Sequence, residues 1–319
     1  MPQLFGAAAL ATMRGRIERL VEGAATRLRA EGRLQTEHAG QPFGRRMMAL
    51  IEEAGVEAAM AAFGEAGSVF GVERARGEAA DEDERPIYDI VTHPGVLDVL
   101  EALMGPEHPI TYSYAGIMRA RLPDGTNDSR NAKPFPFHQD SQYFDTKSPN
   151  SKDAVNVEAG WSPSTADMPI VGVWVPLVDA DVRSGCLQFI EGSHRWGLLD
   201  GARDEKNNMQ THEDLWAREG TRPVAVPAKV GDAILFSNLV FHGSEMSNSD
   251  DVRWTLDWRC HASPFAARFV DQDAGAVSGS ELAATRWWAT EGWWSDGQPD
   301  GSGRWEAWAP WAAGGRAAL

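Results

Sequence analysis

The chain of 319 residues carries 30 Lys and Arg against 46 Asp and Glu, a formal net charge of −16 and a pI near 4.9. Nucleic-acid binding rests on neutralising phosphates with basic side chains, so this balance excludes nucleic acid, and an anionic membrane surface, as partner. The length suits one large domain with a sizeable core, and Cys186 and Cys260, neither in a CxxC pair, point to a reduced compartment.

LFGAAALATM near the N-terminus is apolar for only ten residues, has no basic residue ahead of it and leads into Arg14 and Arg16. That does not fit a signal peptide, and no stretch reaches the apolar length of a membrane span, so a soluble, cytoplasmic protein is expected. From Arg14 to Ala30, Ile17, Leu20, Val21 and Ala24 recur at helical spacing, and Met48, Leu50, Ile51, Val56 and Met60 do so between Arg45 and Phe63. Two amphipathic helices follow from those stripes. The acidic run Arg74 to Pro86 is a solvated connection, and a third helix is expected over Val96 to Met104, stopped by Gly105 and Pro106.

Beyond it the pattern changes to strands. ITYSYAGIMRARL (Ile110 to Leu122) is the first, and the segment around His138 (PFPFHQDSQYF) reads as another. Asp145 to Pro169 is long, polar and without period, and is read as a lid. Ile170 to Val178 and Cys186 to Ile190 read as a β-hairpin closed by DADVRSG. Val224 to Val226, Ala233 to Phe241 and Val252 to His261 supply three more strands.

Helices first and short strands afterwards form the pattern of a mainly β jelly roll, a cupin-like double-stranded β-helix, carried on helices. We divide the single domain into a mainly helical support (1–109), a jelly-roll core (110–262) and a C-terminal cap (263–319) that holds seven of the 13 tryptophans. That cap is read as a hydrophobic cover or dimer contact, with stacking against sugar rings as the alternative.

In an extended chain, residues two apart project to one side, so His138 and Asp140 point together with Phe135 and Phe137 opposite. An imidazole and a carboxylate suit a borderline divalent metal, and His242 in AILFSNLVFHGS is the candidate third ligand. His194 rivals it on composition but is read as a structural histidine bonded to backbone. His261 is placed beside the site, satisfied by Asp257, while His38, His93 and His108 are packing or surface residues and His212 lies in a solvated loop. Cys186 and Cys260 are small buried residues without a basic partner. Between Val252 and His261 the alternation puts Val252, Trp254, Leu256, Trp258 and Cys260 on one face, and Arg253, Thr255, Asp257, Arg259 and His261 on the other.

HQD at His138 to Asp140, GCLQFIEGSHRWG at Gly185 to Gly197, Gly231-Asp232, FHGSEMSNS at Phe241 to Ser249, and Arg253 eleven residues after the distal histidine stand in one order. Together they resemble the phytanoyl-CoA dioxygenase family of iron(II)- and 2-oxoglutarate-dependent oxygenases. The resemblance implies iron held by His138, Asp140 and His242, and the C5 carboxylate of 2-oxoglutarate held by Arg253 with a hydroxyl from Ser244. It places Trp174 near the cofactor and lets Arg119 and Arg121 reach the oxoacid or an acidic substrate. With O₂ as co-substrate, 2-oxoglutarate would be decarboxylated to succinate and an unactivated C–H oxidised, by hydroxylation, desaturation or ring closure. Related halogenases have Gly or Ala where this chain has Asp140.

The substrate expected is a small molecule in natural-product (antibiotic) biosynthesis, a sugar-containing one of the orthosomycin type, acted on by a monomer or homodimer. Two readings from other classes are a zinc-dependent hydrolase with the same ligands and a non-catalytic metal-binding jelly roll, neither of which needs Arg253.

Overall fold

Leu10, Met13, Ile17, Leu20, Val21, Ala24 and Leu28 fall on one stripe, and that stripe is buried along α1 (Ala7–Ala30) in the computed structural model. The structure describes residues 1–66, 90, 93–104, 110–126, 134–144, 170–203, 209–211 and 220–262. The expected lid (145–169), the Trp-rich cap (263–319), the acidic run (74–86), His108 and His212 lie outside them.

The first helix starts at Ala7, seven residues earlier than its arginine-rich part suggested, because the Ala-rich stretch is strongly helix-forming and Leu10 and Met13 extend the same stripe. The expected second helix is two, α2 (Phe43–Ala54) and α3 (Val56–Ala66). Gly55 separates them at φ 86°, a left-handed value that glycine reaches without steric cost and that cannot continue a right-handed helix. α4 (Pro94–Met104) follows. No helix among the described residues is long and apolar enough to cross a membrane.

A four-stranded antiparallel sheet is built from β1 (Ile110–Arg121), β2 (Ile170–Pro176), β7 (Ile234–Ser237) and β9 (Arg253–Ala262), in the order β1-β9-β2-β7. A three-stranded sheet holds β3 (Leu187–Ile190), β6 (Pro223–Val226) and β8 (His242–Ser244), in the order β6-β3-β8. β4 (Ala202–Arg203) and β5 (Met209–Gln210) form a small ribbon.

Three expectations change here. β2 and β3 are not a hairpin: β2 pairs with β7 and β9, β3 with β6 and β8. Their connection is held as a link between sheets by the Ala180–Ala228 and Ser184–Ser247 bridges. The run Ala233 to Phe241 is not one strand either. It turns at Asn238 to Val240, so that β7 serves the larger sheet and β8 the smaller. Finally, the His138 segment is extended without belonging to a named strand, and Ser141–Phe144 is a short helix, α5.

β9 lies between β1 and β2, and its two faces decide what lies on either side of the sheet. Val252, Trp254, Leu256, Trp258 and Cys260 are fully buried in one cluster with the inner stripes of α1, α2 and α3. Trp254 sits between Phe43 and Phe63, with ring centroids 6.2 and 5.5 Å away. Helix and sheet are thus joined through a contact that removes a whole indole from water. Truncating Trp254 to Ala is expected to cost about 3–5 kcal/mol, measured as a lower urea midpoint at unchanged m-value.

Candidate metal centre

His138 and His242 face each other across an antiparallel bridge in which each main-chain N–H donates to the other's carbonyl, at 2.9 and 3.0 Å. Such a pair projects both side chains to the same side. Gly243 permits the approach, since a Cβ there would lie 2.9 Å from the Phe137 ring and 3.0 Å from the Phe135 carbonyl oxygen. Each imidazole is aimed by its own backbone: Nδ1 of His138 donates to the Pro136 carbonyl at 2.8 Å and Nδ1 of His242 to that of Val240 at 2.9 Å. A carbonyl can only accept, so both rings carry a proton on Nδ1, which makes Nε2 the nitrogen each can turn to a metal.

Asp140 completes the convergence. Its Oδ1 lies 3.6 Å from Nε2 of His138 and 3.9 Å from Nε2 of His242. Among the described residues these three buried side chains are the group able to hold a metal ion, with donor atoms all within 4.8 Å of one another. Two neutral imidazoles and one carboxylate, with the remaining directions left to other ligands, fit an iron(II) site. The segment is fastened from behind by Gln139, whose Nε2 donates to the carbonyls of Gly197 (2.8 Å) and Leu239 (2.7 Å) while its Oε1 accepts from Leu199 N–H. The sequence reading missed this role for Gln139, which nothing local to HQD signals.

Arg259 lies on the polar face of β9, where the alternation alone gives it no role. It is buried and places its guanidinium edge on Asp140, Nε to Oδ2 at 2.6 Å and Nη2 to Oδ1 at 2.8 Å, while Nη1 reaches Asp257 at 3.1 Å. Asp257 in turn receives Arg119 at 2.7 and 3.2 Å. Its carboxylate is therefore taken by two arginines, while the side chain of His261, its expected partner, lies outside the described part of the structure. Burial pushes the Asp140 carboxyl up, but Arg259, His138 and His242 outweigh it and hold the group well below the ordinary carboxylate range. Burial, and then the neighbouring His138, lowers His242 to about 3.

Arg253 is also buried. Its Nε donates to the Ser184 carbonyl at 3.2 Å, its guanidinium lies 5.4 Å from the Trp174 ring, and Nη1 has no partner among the described residues. Burial, with the charges of Arg121 and Arg119, lowers it to about 9. Two residues along the same strand face, the Thr255 hydroxyl is buried and without a partner too. Adjacent orphaned donors of this kind fit a small carboxylate. Ser244 accepts the Phe135 N–H at 2.6 Å, which leaves its own proton to donate elsewhere. Arg121 turns into its own loop, donating to the Leu122 carbonyl and pairing with Asp124.

The histidines are ringed by half-buried aromatics: Phe135 4.9 Å from His138, and Phe236 and Phe189 at 4.6 and 5.7 Å from His242. Phe137 packs away from the site against Phe241, but Phe135 does not share that face, contrary to the alternation expected of a strand. His194 is exposed on the 3-10 turn Ser193–Trp196 and is neither a ligand nor buried. His93 is half-buried beside Phe5, and His38 pairs with Glu53 at 2.6 Å. Cys186 and Cys260 are free and buried, which raises both thiols.

The family model described as phytanoyl-CoA dioxygenase (PhyH) matches residues 1–255. A phytanoyl-CoA dioxygenase domain-containing protein 1 homolog of Caenorhabditis briggsae is 36% identical over 91 residues, covering 26% of this chain and 32% of that protein. A probable phytanoyl-CoA dioxygenase of Caenorhabditis elegans is 23% identical over 199 residues, 59% of this chain and 54% of that one. The matches thus span about a third and about half of the length of these relatives. Among solved structures, EvdO2 from Micromonospora carbonacea var. aurantiaca, complexed with 2-oxoglutarate, is 20% identical, covers 57% of this chain and 65% of that one, and superposes with a TM-score of 0.42.

A free histidine takes up its proton near pH 6.5, whereas His242 stays neutral in the folded state down to about 3. Below that first value the unfolded chain binds more protons than the folded one, so the metal-free protein loses stability on acidification. The slope approaches about 1.4 kcal/mol per pH unit for this one group. Urea midpoints between pH 7 and 5 should therefore fall less steeply in His242→Gln than in the unaltered protein, and equal slopes would contradict a neutral buried imidazole.

Proposed function

The chain belongs to the phytanoyl-CoA dioxygenase family, and we propose that it is an iron(II)- and 2-oxoglutarate-dependent oxygenase that oxidises an unactivated C–H of a small molecule. The observation that carries this reading is the pairing of two features: three metal-binding donors in convergence, and the buried orphaned donors of Arg253 and Thr255 on the neighbouring strand. A zinc hydrolase or a purely structural metal site would leave those donors unsatisfied at a cost of about 1–3 kcal/mol each.

In this reading His138, Asp140 and His242 hold the metal on one side, and Arg253, with Thr255 and Ser244, fixes the far carboxylate of the oxoacid. Iron(II) with 2-oxoglutarate supplies, when bound, the oxidative decarboxylation that drives attack on the C–H bond. The chain's own task is orientation and the exclusion of water. Trp174 covers the arginine, and Phe135, Phe189 and Phe236 present apolar faces around the histidines. In this reading the two sheets form a jelly roll supported by α1 to α3.

The finer proposal is a natural-product tailoring step, hydroxylation or oxidative ring closure, on a sugar-containing substrate. Aromatic walls suit the apolar faces of sugar rings, and the tryptophan-rich composition of 285–311 points the same way.

Anaerobic addition of iron(II) and then 2-oxoglutarate to metal-free protein should give a weak visible charge-transfer band that needs both. It should vanish in His138→Ala and demand on the order of 30-fold more 2-oxoglutarate in Arg253→Ala, the effect of leaving a buried carboxylate without its partner. Absence of any band, with zinc retained, would favour the hydrolase. For the substrate class, tryptophan fluorescence titrated with a panel of oligosaccharides should respond to at least one member, and silence across the panel would reject a sugar substrate.

A further inference from the structure

Asp140 does not stand alone behind the metal centre. Arg259 donates a hydrogen bond from Nη2 to its Oδ1 at 2.8 Å and brings Nε to 2.6 Å from its Oδ2 as an ion pair, and is itself held by Asp257 at 3.1 Å and by the Trp258 carbonyl at 3.1 Å, with its guanidinium 5.5 Å from the Phe236 ring. Asp257 is anchored in turn by both branches of Arg119. Four alternating charges, Asp140, Arg259, Asp257 and Arg119, thus run from the triad to the half-exposed rim, where the Arg119 guanidinium sits 5.5 Å from Phe135. A planar fork of this kind fixes both the position and the rotation of a carboxylate, which a single point charge cannot do.

We propose that Arg259 is the positioning residue of this centre: by a hydrogen bond to Oδ1 and an ion pair with Oδ2 of Asp140 it turns Oδ1 to the metal and holds Oδ2 back, so that the carboxylate binds through one oxygen and leaves a coordination position for the oxoacid or O₂. The inference rests on Asp140 being a metal ligand, as in the function proposed above. Its physical basis is the ion pair on Oδ2. With Nε 2.6 Å from Oδ2, that oxygen can turn to a metal only by abandoning a charge-assisted contact inside a closed network. Phe236 and the Trp258 carbonyl hold the guanidinium against following it.

Arg259→Lys is the informative variant, because it keeps the positive charge and removes the fork, so any change reports orientation and not charge. Cobalt(II) serves as the probe, read by its visible absorption and by competition with a chelator. In the unaltered protein, cobalt should bind with a spectrum abolished by His138→Ala. In Arg259→Lys the band should change in position and intensity, as a carboxylate free to bind through two oxygens alters the coordination, and affinity should fall roughly 10- to 100-fold. Asp257→Asn, which leaves the direct Arg259–Asp140 contact in place, should shift both readouts less. If Arg259→Lys loses its cooperative urea transition, the doubly neutral Arg259→Gln/Asp257→Asn protein replaces it, with a changed spectrum again expected. A cobalt spectrum and affinity indistinguishable from the unaltered protein in the folded variant would overturn the proposal. Failure of the unaltered protein to bind cobalt through His138 would instead remove the metal centre itself.

Discussion

One strand constrains most of this structure. β9 runs between β1 and β2, and because its side chains alternate strictly, whatever it buries on one side is matched by what it presents on the other. Trp254, Leu256 and Trp258 join the sheet to the helices, while Arg253, Thr255, Asp257 and Arg259 line the side of the triad. A register slip by one residue would drive guanidinium groups into the helical core and indoles into the site. The packing of the helices and the chemistry of the centre are therefore secured by the same alternation.

The polar face of β9 carries a large electrostatic load. Four buried ionised side chains there and at Asp140 would each be costly alone, and they are tolerable because they are linked. Asp140 and Asp257 share Arg259, and Asp257 also holds Arg119. Arg253 is the exception, since burial and two neighbouring arginines weaken its hold on its proton and no carboxylate among the described residues answers it. That imbalance is the kind a bound anion relieves. Next to it, the triad is assembled largely by main-chain geometry: reciprocal hydrogen bonds between His138 and His242 set two ligands opposite each other, and each ring is oriented by a carbonyl two residues upstream. The donors are thus organised before any metal enters.

Much of this was legible in local spacing. The stripe of α1, the two faces of β9 and the common direction of His138 and Asp140 are consequences of periods of 3.6 and 2 that any reader of the chain can count. Where spacing misled, competing signals were too even. Ala233 to Phe241 is apolar enough for one strand, and only the pairing of its ends with different sheets shows that it turns at Asn238. β2 and β3 flank a good turn, yet each pairs elsewhere, because a turn sequence limits the conformation of a connection and not the partners of the strands it joins. Phe135 was placed opposite His138 on strand alternation, but the segment meets β8 through one bridge only, and the ring swings in beside the imidazole.

The sequence by itself determined which residues share a face, where helices and strands lie, and which donors stand close along the chain. Those properties follow from backbone geometry over a few residues. Only the tertiary structure decided who answers whom. Arg259 and Asp140 are 119 positions apart, and Gln139 and Leu239 100 apart. No periodicity spans such separations, so the clamp on Asp140, the orphaned Thr255 hydroxyl and the fastening of Gln139 emerge only in the folded chain.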